Sequence, residues 1–213
     1  MLEKETTTIF VIRHGKPKYT LDALGRRLIY GPEVNLSPEG ENQAREMAER
    51  IQSLDSVVSS PYPRARQTAQ IIGDKHQLPE LTIVEDIKDI IAQGAVGLPL
   101  DDLVSGKITP KRDPNDETLD ELERRVIPAF QEIFVRQTGK STAIVSHGDA
   151  IRVMAYRLVE KQSGPLPPAM KLQEYNYINP GEAWKLGLNN QGIIVSSQML
   201  SRPETKMPGK RAG

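Results

Sequence analysis

Four short apolar runs recur along the chain, "TIFVIRH", "DSVVSS", "LTIVED" and "STAIVSH", each rich in β-branched residues. Longer stretches separate them, with apolar residues three and four apart, the spacing of helices that bury one face. Runs that stay apolar at consecutive positions suit strands covered on both sides. The alternation therefore predicts an α/β fold: a three-layer sandwich with a mostly parallel central sheet and helices on both faces. The first helix is expected in "LSPEGENQAREMAERIQSL", where Ser37 can cap, Pro38 takes the first helical position, and Ala44, Met47, Ala48 and Ile51 share a face. A second follows in "PRARQTAQIIGDKH". A third runs through "DETLDELERRVIPAFQEIFVRQTG", with Asp116 as its expected cap and a kink expected at Pro128, and a fourth through "SHGDAIRVMAYRLVEK". Near the end, "AWKLGLNNQGIIVSSQML" reads as two strands joined through Asn189 to Gly192, an antiparallel hairpin at the sheet edge.

Residues 16–35, 87–115 and 164–176 fit no regular element, and loops of that length in a compact domain are often functional. The tail from Arg202, "RPETKMPGKRAG", lacks an apolar period and is expected to be disordered, which leaves 1–201 as a single domain. Charge changes this picture little. Lys plus Arg and Asp plus Glu number 28 each, so no nucleic-acid or membrane partner is expected. The chain has no cysteine, which excludes disulfides and thiolate metal sites, and its first apolar run is too short for a signal or transmembrane segment. A cytoplasmic location is the expectation.

Chemistry enters at the strand ends. In an open parallel sheet, ligands gather outside the carboxyl ends of the strands. One strand there ends in Arg13-His14-Gly15, another leads into Arg64 and Arg66, a third into Glu85, Asp86 and Asp89, and a fourth ends in His147-Gly148. His14 and His147 each precede a glycine, which leaves the backbone free to turn and its N–H free to approach an anion. His76, at a helix end where a positive charge suits the dipole, is assigned no role. Two imidazoles, arginine forks and a carboxylic acid on one rim suit phosphoryl transfer. Guanidinium matches phosphate oxygens, a neutral imidazole attacks phosphorus, and an acid protonates the leaving alcohol.

In these motifs the chain resembles the histidine phosphatase superfamily, also called phosphoglycerate mutase-like, over nearly its whole length up to about Leu200. "RHG" at Arg13 to Gly15, "NLSPEGENQA", "SSPYPRARQTA" and "VSHGD" follow the family's order. The resemblance implies that His14 becomes phosphohistidine, later hydrolysed by water. It also implies that Arg13, Arg64 and His147 hold the phosphate, with backbone contacts from Gly15 and Gly148. Arg64, rather than Arg66, precedes the alanine of the family's arginine motif. In "EDIKDIIAQGAVG", Asp89 fits the family's acid position as proton donor and Glu85 is the second candidate. Gly94 and Gly97 fit the family's pattern, but Ala95 and Val96 stand where it has an aromatic residue and an acid.

What the resemblance implies is a metal-independent phosphomonoester hydrolase of histidine acid phosphatase type, without cofactor, acting on a small phosphorylated metabolite. "KPKYTLDALGRR" and "IIAQGAVG" lack the substrate-holding residues of the longer phosphoglycerate mutases, which favours hydrolysis over mutase transfer. A protein phosphatase or regulatory binding role is the remaining alternative. Two readings also stay open for Lys16, Lys18, Arg26 and Arg27: attraction of a substrate with extra anionic groups, or a solvated loop offset by Asp101, Asp102, Asp113 and Asp116. The 165–177 segment is a candidate further wall of the site, and both monomer and homodimer are compatible with the sequence.

Overall fold

The computed structural model describes residues 7–167 and 178–201. In chain order its elements are β1 (Thr7–Arg13), α1 (Pro38–Arg50), β2 (Ser56–Ser59), α2 (Pro63–Lys75), β3 (Leu81–Ile83), α3 (Leu100–Val104), α4 (Leu119–Arg136), β4 (Ser141–Ser146), α5 (Gly148–Met154), β5 (Ala183–Leu188) and β6 (Ile194–Leu200). The strands form one sheet in the order β3-β2-β4-β1-β5-β6. The first four run parallel, and β5 and β6 add an antiparallel pair at one edge, as the periodicity predicts.

Consecutive apolar residues in β1 serve opposite faces. Ile9 and Val11 join Val58 and Ile144 against Leu122, Val126 and Phe130 of α4 and Ile151 of α5. Phe10 and Ile12 join Val57, Ala143 and Val145 against Met47 and Ala48 of α1 and Ala65, Ala69 and Ile72 of α2. Burial on both sides explains why β1 and β4 show no polar alternation. Ser37 caps α1 by accepting from the Gly40 N–H. The first turn of α1 then lies directly against the chain leaving β1. A Cβ at Gly40 would sit 2.1 Å from the Lys16 carbonyl oxygen, and one at Gly15 2.2 Å from that of Gly40.

Several local expectations are corrected. Thr118, not Asp116, caps α4, and it forms a reciprocal capping box with Glu121. Asp116 lies two residues too early to reach the helix and instead accepts from the N–H groups of Gly94 and Asp113. The helix runs unbroken through Pro128. The helix expected from "SHGDAIRVMAYRLVEK" begins at Gly148 and opens into a π turn over Ala155–Val159. Within 87–115 the chain forms a 3-10 turn at Gln93–Ala95 and the short α3. This region is zipped to the first long loop by three backbone bonds of 2.9 Å: Ile29 N–H to Leu98, Gly97 N–H to Ile29 and Leu100 N–H to Arg27. Most of the expected wall at 165–177, and the expected tail from 202, lie outside the described residues. Among those residues no helix is long and apolar enough to cross a membrane.

Candidate active site

Strands β2, β4 and β1 are adjacent and end level, Arg13 pairing with Ser146 and Val145 with Ser59. The residues that follow them, Ser60, His147 and His14, are thereby brought together. The two imidazole rings lie edge to face with centroids 5.0 Å apart, and both are buried. His14 Nδ1 lies 2.7 Å from the Gly15 carbonyl oxygen, which can only accept, so Nδ1 holds the proton. Nε2 is then the atom with the lone pair, and it accepts from Arg64 Nε at 3.2 Å.

Arg64, on the first turn of α2, is almost fully buried, and its other donors reach the Pro32 carbonyl at 3.0 Å and Asp89 Oδ2 at 3.4 Å. The rings of Tyr30 and Tyr62 flank its guanidinium, with centroids 5.1 and 5.0 Å away. Asp89 Oδ2 also lies 3.8 Å from His147 Nδ1. That nitrogen is buried without a hydrogen-bond partner, while His147 Nε2 is held 2.7 Å from Ser60 Oγ. Arg13 donates to the Ile178 carbonyl, and Gly148 leaves room beside it: a Cβ there would approach the guanidinium carbon to 3.2 Å. The Gly15 N–H donates to Thr68 Oγ1.

The sequence-derived set Arg13, His14, Arg64, Asp89 and His147 therefore converges, with Gly15 and Gly148 beside it. Glu85 does not join it: its side chain is 69% exposed and lies 3.9 Å from Lys88. Arg66 is exposed, and His76 sits at the C-terminus of α2. The basic loop divides. Lys16 pairs with Glu39 and Arg26 with Asp22 and Asp102, whereas Arg27 stacks on Tyr19 and lines a cavity of about 640 Å³. Arg13, Arg64 and Asp89 line the same cavity, whose walls come from both zipped loops and include Tyr30, Ile90, Ile91 and Val96. Sequence reading did not identify Ser60, Tyr30, Tyr62 or Asp149 as parts of this site. Ser60 follows a strand end and Asp149 follows His147-Gly148, so position was their only signal.

Burial, then the Asp149 carboxylate, pushes Asp89 up to about 6 against the opposing pull of Arg64 and Arg13. His14 is driven well below the ordinary histidine value by burial and by Arg64 and Arg13. His147 is lowered by burial, His14 and Arg64. Both histidines thus stay neutral in the fold at pH values where the unfolded chain takes up two protons. Asp89 does the reverse and holds one extra proton in the fold below about pH 6. Stability should therefore fall on acidification from pH 6.5 to 5, at about 1.4 kcal/mol per pH unit for each excess proton of the unfolded state, with Asp89 offsetting part of it. Urea midpoints across that range measure the slope; a protein that gains stability toward pH 5 would contradict neutral, buried histidines.

Comparison with known proteins places this geometry. The Bacillus subtilis (strain 168) protein named "Uncharacterized phosphatase PhoE" is 31% identical over 150 residues, 70% of this chain and 75% of its own. An Arabidopsis thaliana protein named "Metal-independent phosphoserine phosphatase" is 29% identical over 177 residues, 76% of this chain and 73% of its own. Among solved structures, phosphoserine phosphatase from Entamoeba histolytica in complex with 3-phosphoglyceric acid superposes with a TM-score of 0.69. The two are 24% identical, with coverage of 92% of this chain and 98% of that one, a likeness of fold. The family model of the histidine phosphatase superfamily (branch 1) matches residues 9–176, a span that holds the two strand-end histidines, Arg13, Arg64 and Asp89. The chain belongs to the histidine phosphatase superfamily, branch 1.

Proposed function

We propose that this protein is a phosphomonoester hydrolase of histidine acid phosphatase type that works through a phosphohistidine on His14. The observation that supports it most is the fixed tautomer of His14, whose Nδ1–H is held by Gly15 so that Nε2 offers its lone pair beside Arg64. A substrate phosphoryl group takes over the Arg64 donors that now reach His14 and Asp89, which frees Nε2 to attack phosphorus. Arg13 and His147 Nδ1–H then meet the equatorial oxygens, with His147 Nε2 accepting from the Ser60 hydroxyl. As the N–P bond forms and the P–O bond to the alcohol breaks, Asp89 gives its proton to the leaving oxygen. In the second step Asp89 takes a proton from water, the water oxygen bonds to phosphorus, and the P–N bond breaks to release phosphate and neutral His14.

The guanidinium groups of Arg13 and Arg64 supply the positive charge in this scheme and His147 a neutral N–H donor, and the name of the Arabidopsis relative agrees with a metal-free reaction. The mostly apolar walls of the cavity support an ester whose alcohol offers apolar surface, with Arg27 at hand for a polar substituent. Mutase transfer is the second reading. It is favoured by relatives named "Probable phosphoglycerate mutase GpmB", one from Serratia proteamaculans (strain 568) being 27% identical over 160 residues.

The test is turnover of para-nitrophenyl phosphate with and without a chelator, together with acid–base partitioning of the label after a quench with radiolabelled substrate. The expected result is a rate indifferent to chelator and a phosphoenzyme that is acid-labile and alkali-stable. A metal requirement, or label that never enters the protein, would sink the proposal. Labelled enzyme that passes its phosphoryl group to phosphoglycerate faster than to water would establish the mutase reading instead.

A further inference from the structure

The segment that presents Asp89 has almost no regular structure of its own. After a single 3-10 turn at Glu85–Ile87, the chain crosses the site as open backbone until Gln93. Such a segment leaves carbonyls without partners and would let the acid drift. Here four consecutive carbonyls are taken by side chains from elsewhere. Ser146 Oγ donates to Ile87 at 2.6 Å, and Arg125 of α4 reaches the other three: Asp86 at 3.0 Å and Lys88 at 2.9 Å from Nη1, and Asp89 at 2.8 Å from Nη2.

The remaining donors of Arg125 are also occupied. Its Nε and Nη2 reach the two carboxylate oxygens of Glu117 at 2.7 and 2.6 Å, so all five N–H groups of the fork are used. Glu117 closes the far side: its Oε2 accepts from the Ile91 N–H at 3.0 Å, and its own N–H donates to the Ile91 carbonyl at 2.8 Å. Both side chains are largely shielded, at 14% and 15% exposure. Neither lines the cavity or touches the proposed reacting atoms.

We infer that Arg125 and Glu117 form a clamp that positions Asp89 for proton donation, binding the backbone on both sides of the acid to α4 without touching the substrate. This rests on the reading of Asp89 as the acid. Lysine offers no planar fork and cannot span three carbonyls and a carboxylate together. A proton donor misplaced by about 1 Å loses rate on the order of 100-fold, and only where the leaving group needs the proton. A merely structural clamp would slow every ester alike.

The experiment compares kcat/KM, which reads phosphoryl transfer to His14 and excludes the later hydrolysis common to both esters, for native protein, Arg125→Met, Arg125→Lys and Asp89→Asn on an alkyl phosphate, whose leaving group needs a proton, and on para-nitrophenyl phosphate, whose leaving group does not. Arg125→Met is expected to lose about 10- to 100-fold on the alkyl ester and about threefold or less on the aryl ester, with Asp89→Asn showing the same selectivity more strongly. Arg125→Lys should recover little of the alkyl activity and keeps the test available if the methionine variant does not fold. Equal losses on both esters in the folded Arg125 variant, or none, while Asp89→Asn remains selective, would overturn the clamp alone. Loss of selectivity in Asp89→Asn itself would overturn the acid and the clamp together.

Discussion

Replacing His14 by alanine is expected to remove turnover of any phosphomonoester, by at least about four orders of magnitude, and to remove covalent labelling entirely. The size follows from the role: loss of a nucleophile leaves only binding and electrostatic stabilisation, and partial sets of such residues retain little of the rate. The anion site should survive the change. Arg13, Arg64 and His147 come from β1, α2 and the end of β4, and none depends on the imidazole for its place in the fold. Arg64 keeps its bonds to the Pro32 carbonyl and Asp89 when its acceptor at His14 is gone. Inorganic phosphate should therefore still bind, measured by calorimetry, while quench experiments find no phosphoenzyme. Retained turnover with His14→Ala would mean that another group attacks phosphorus, and the phosphohistidine scheme would fall.

Asp89→Asn is the second large effect, and it depends on the ester and on pH. With an alkyl phosphate the loss should reach about 10²- to 10⁴-fold, the usual contribution of a positioned general acid. With para-nitrophenyl phosphate the loss in kcat/KM should stay within about tenfold, because that alcohol leaves as an anion without help, while hydrolysis of the phosphoenzyme, where Asp89 takes the proton of water, slows alike for both esters. The native kcat should be highest in acid and decline as Asp89 gives up its proton, from about pH 6 in the free site and higher with a phosphate dianion beside it. In Asp89→Asn that decline should vanish. Saturating substrate is the condition to use for this pH profile, since kcat/KM also reports ionisation of the phosphate ester itself. Stability moves the other way. The raised value means that ionised Asp89 costs the fold up to about 3 kcal/mol above pH 6, a cost that is absent when the proton is on. Asp89→Asn should accordingly be more stable than native protein at pH 8 and close to it near pH 4, as urea denaturation can measure. A native rate that climbs steadily into alkali would remove Asp89 from its role.

The chain's linear pattern determined the class of fold because burial on both faces leaves a local trace. Ile9 to Ile12 must all be apolar when they face α1 and α2 on one side and α4 and α5 on the other, and that is visible without coordinates. Strand ends were legible for the same reason, so Arg13, His14, His147 and both Arg64 and Arg66 could be placed on one rim from their positions, and the choice of Arg64 came from the motif around it. The cap of α4 was missed because Asp116 and Thr118 are both good cap residues, and only the reach of the side chain decides between them. What tertiary structure alone decided lies in loops whose partners are far away in the chain. Asp89 rather than Glu85 faces the histidines because Arg125 and Ser146 hold the carbonyls around it. Arg27, and not Lys16 or Arg26, reaches the cavity because the latter two are neutralised by Glu39, Asp22 and Asp102. The lowered value of His14 and the raised value of Asp89 belong to the same group. They depend on burial and on charges brought in from α2 and α5, and long-range contacts of that kind write no period into the sequence.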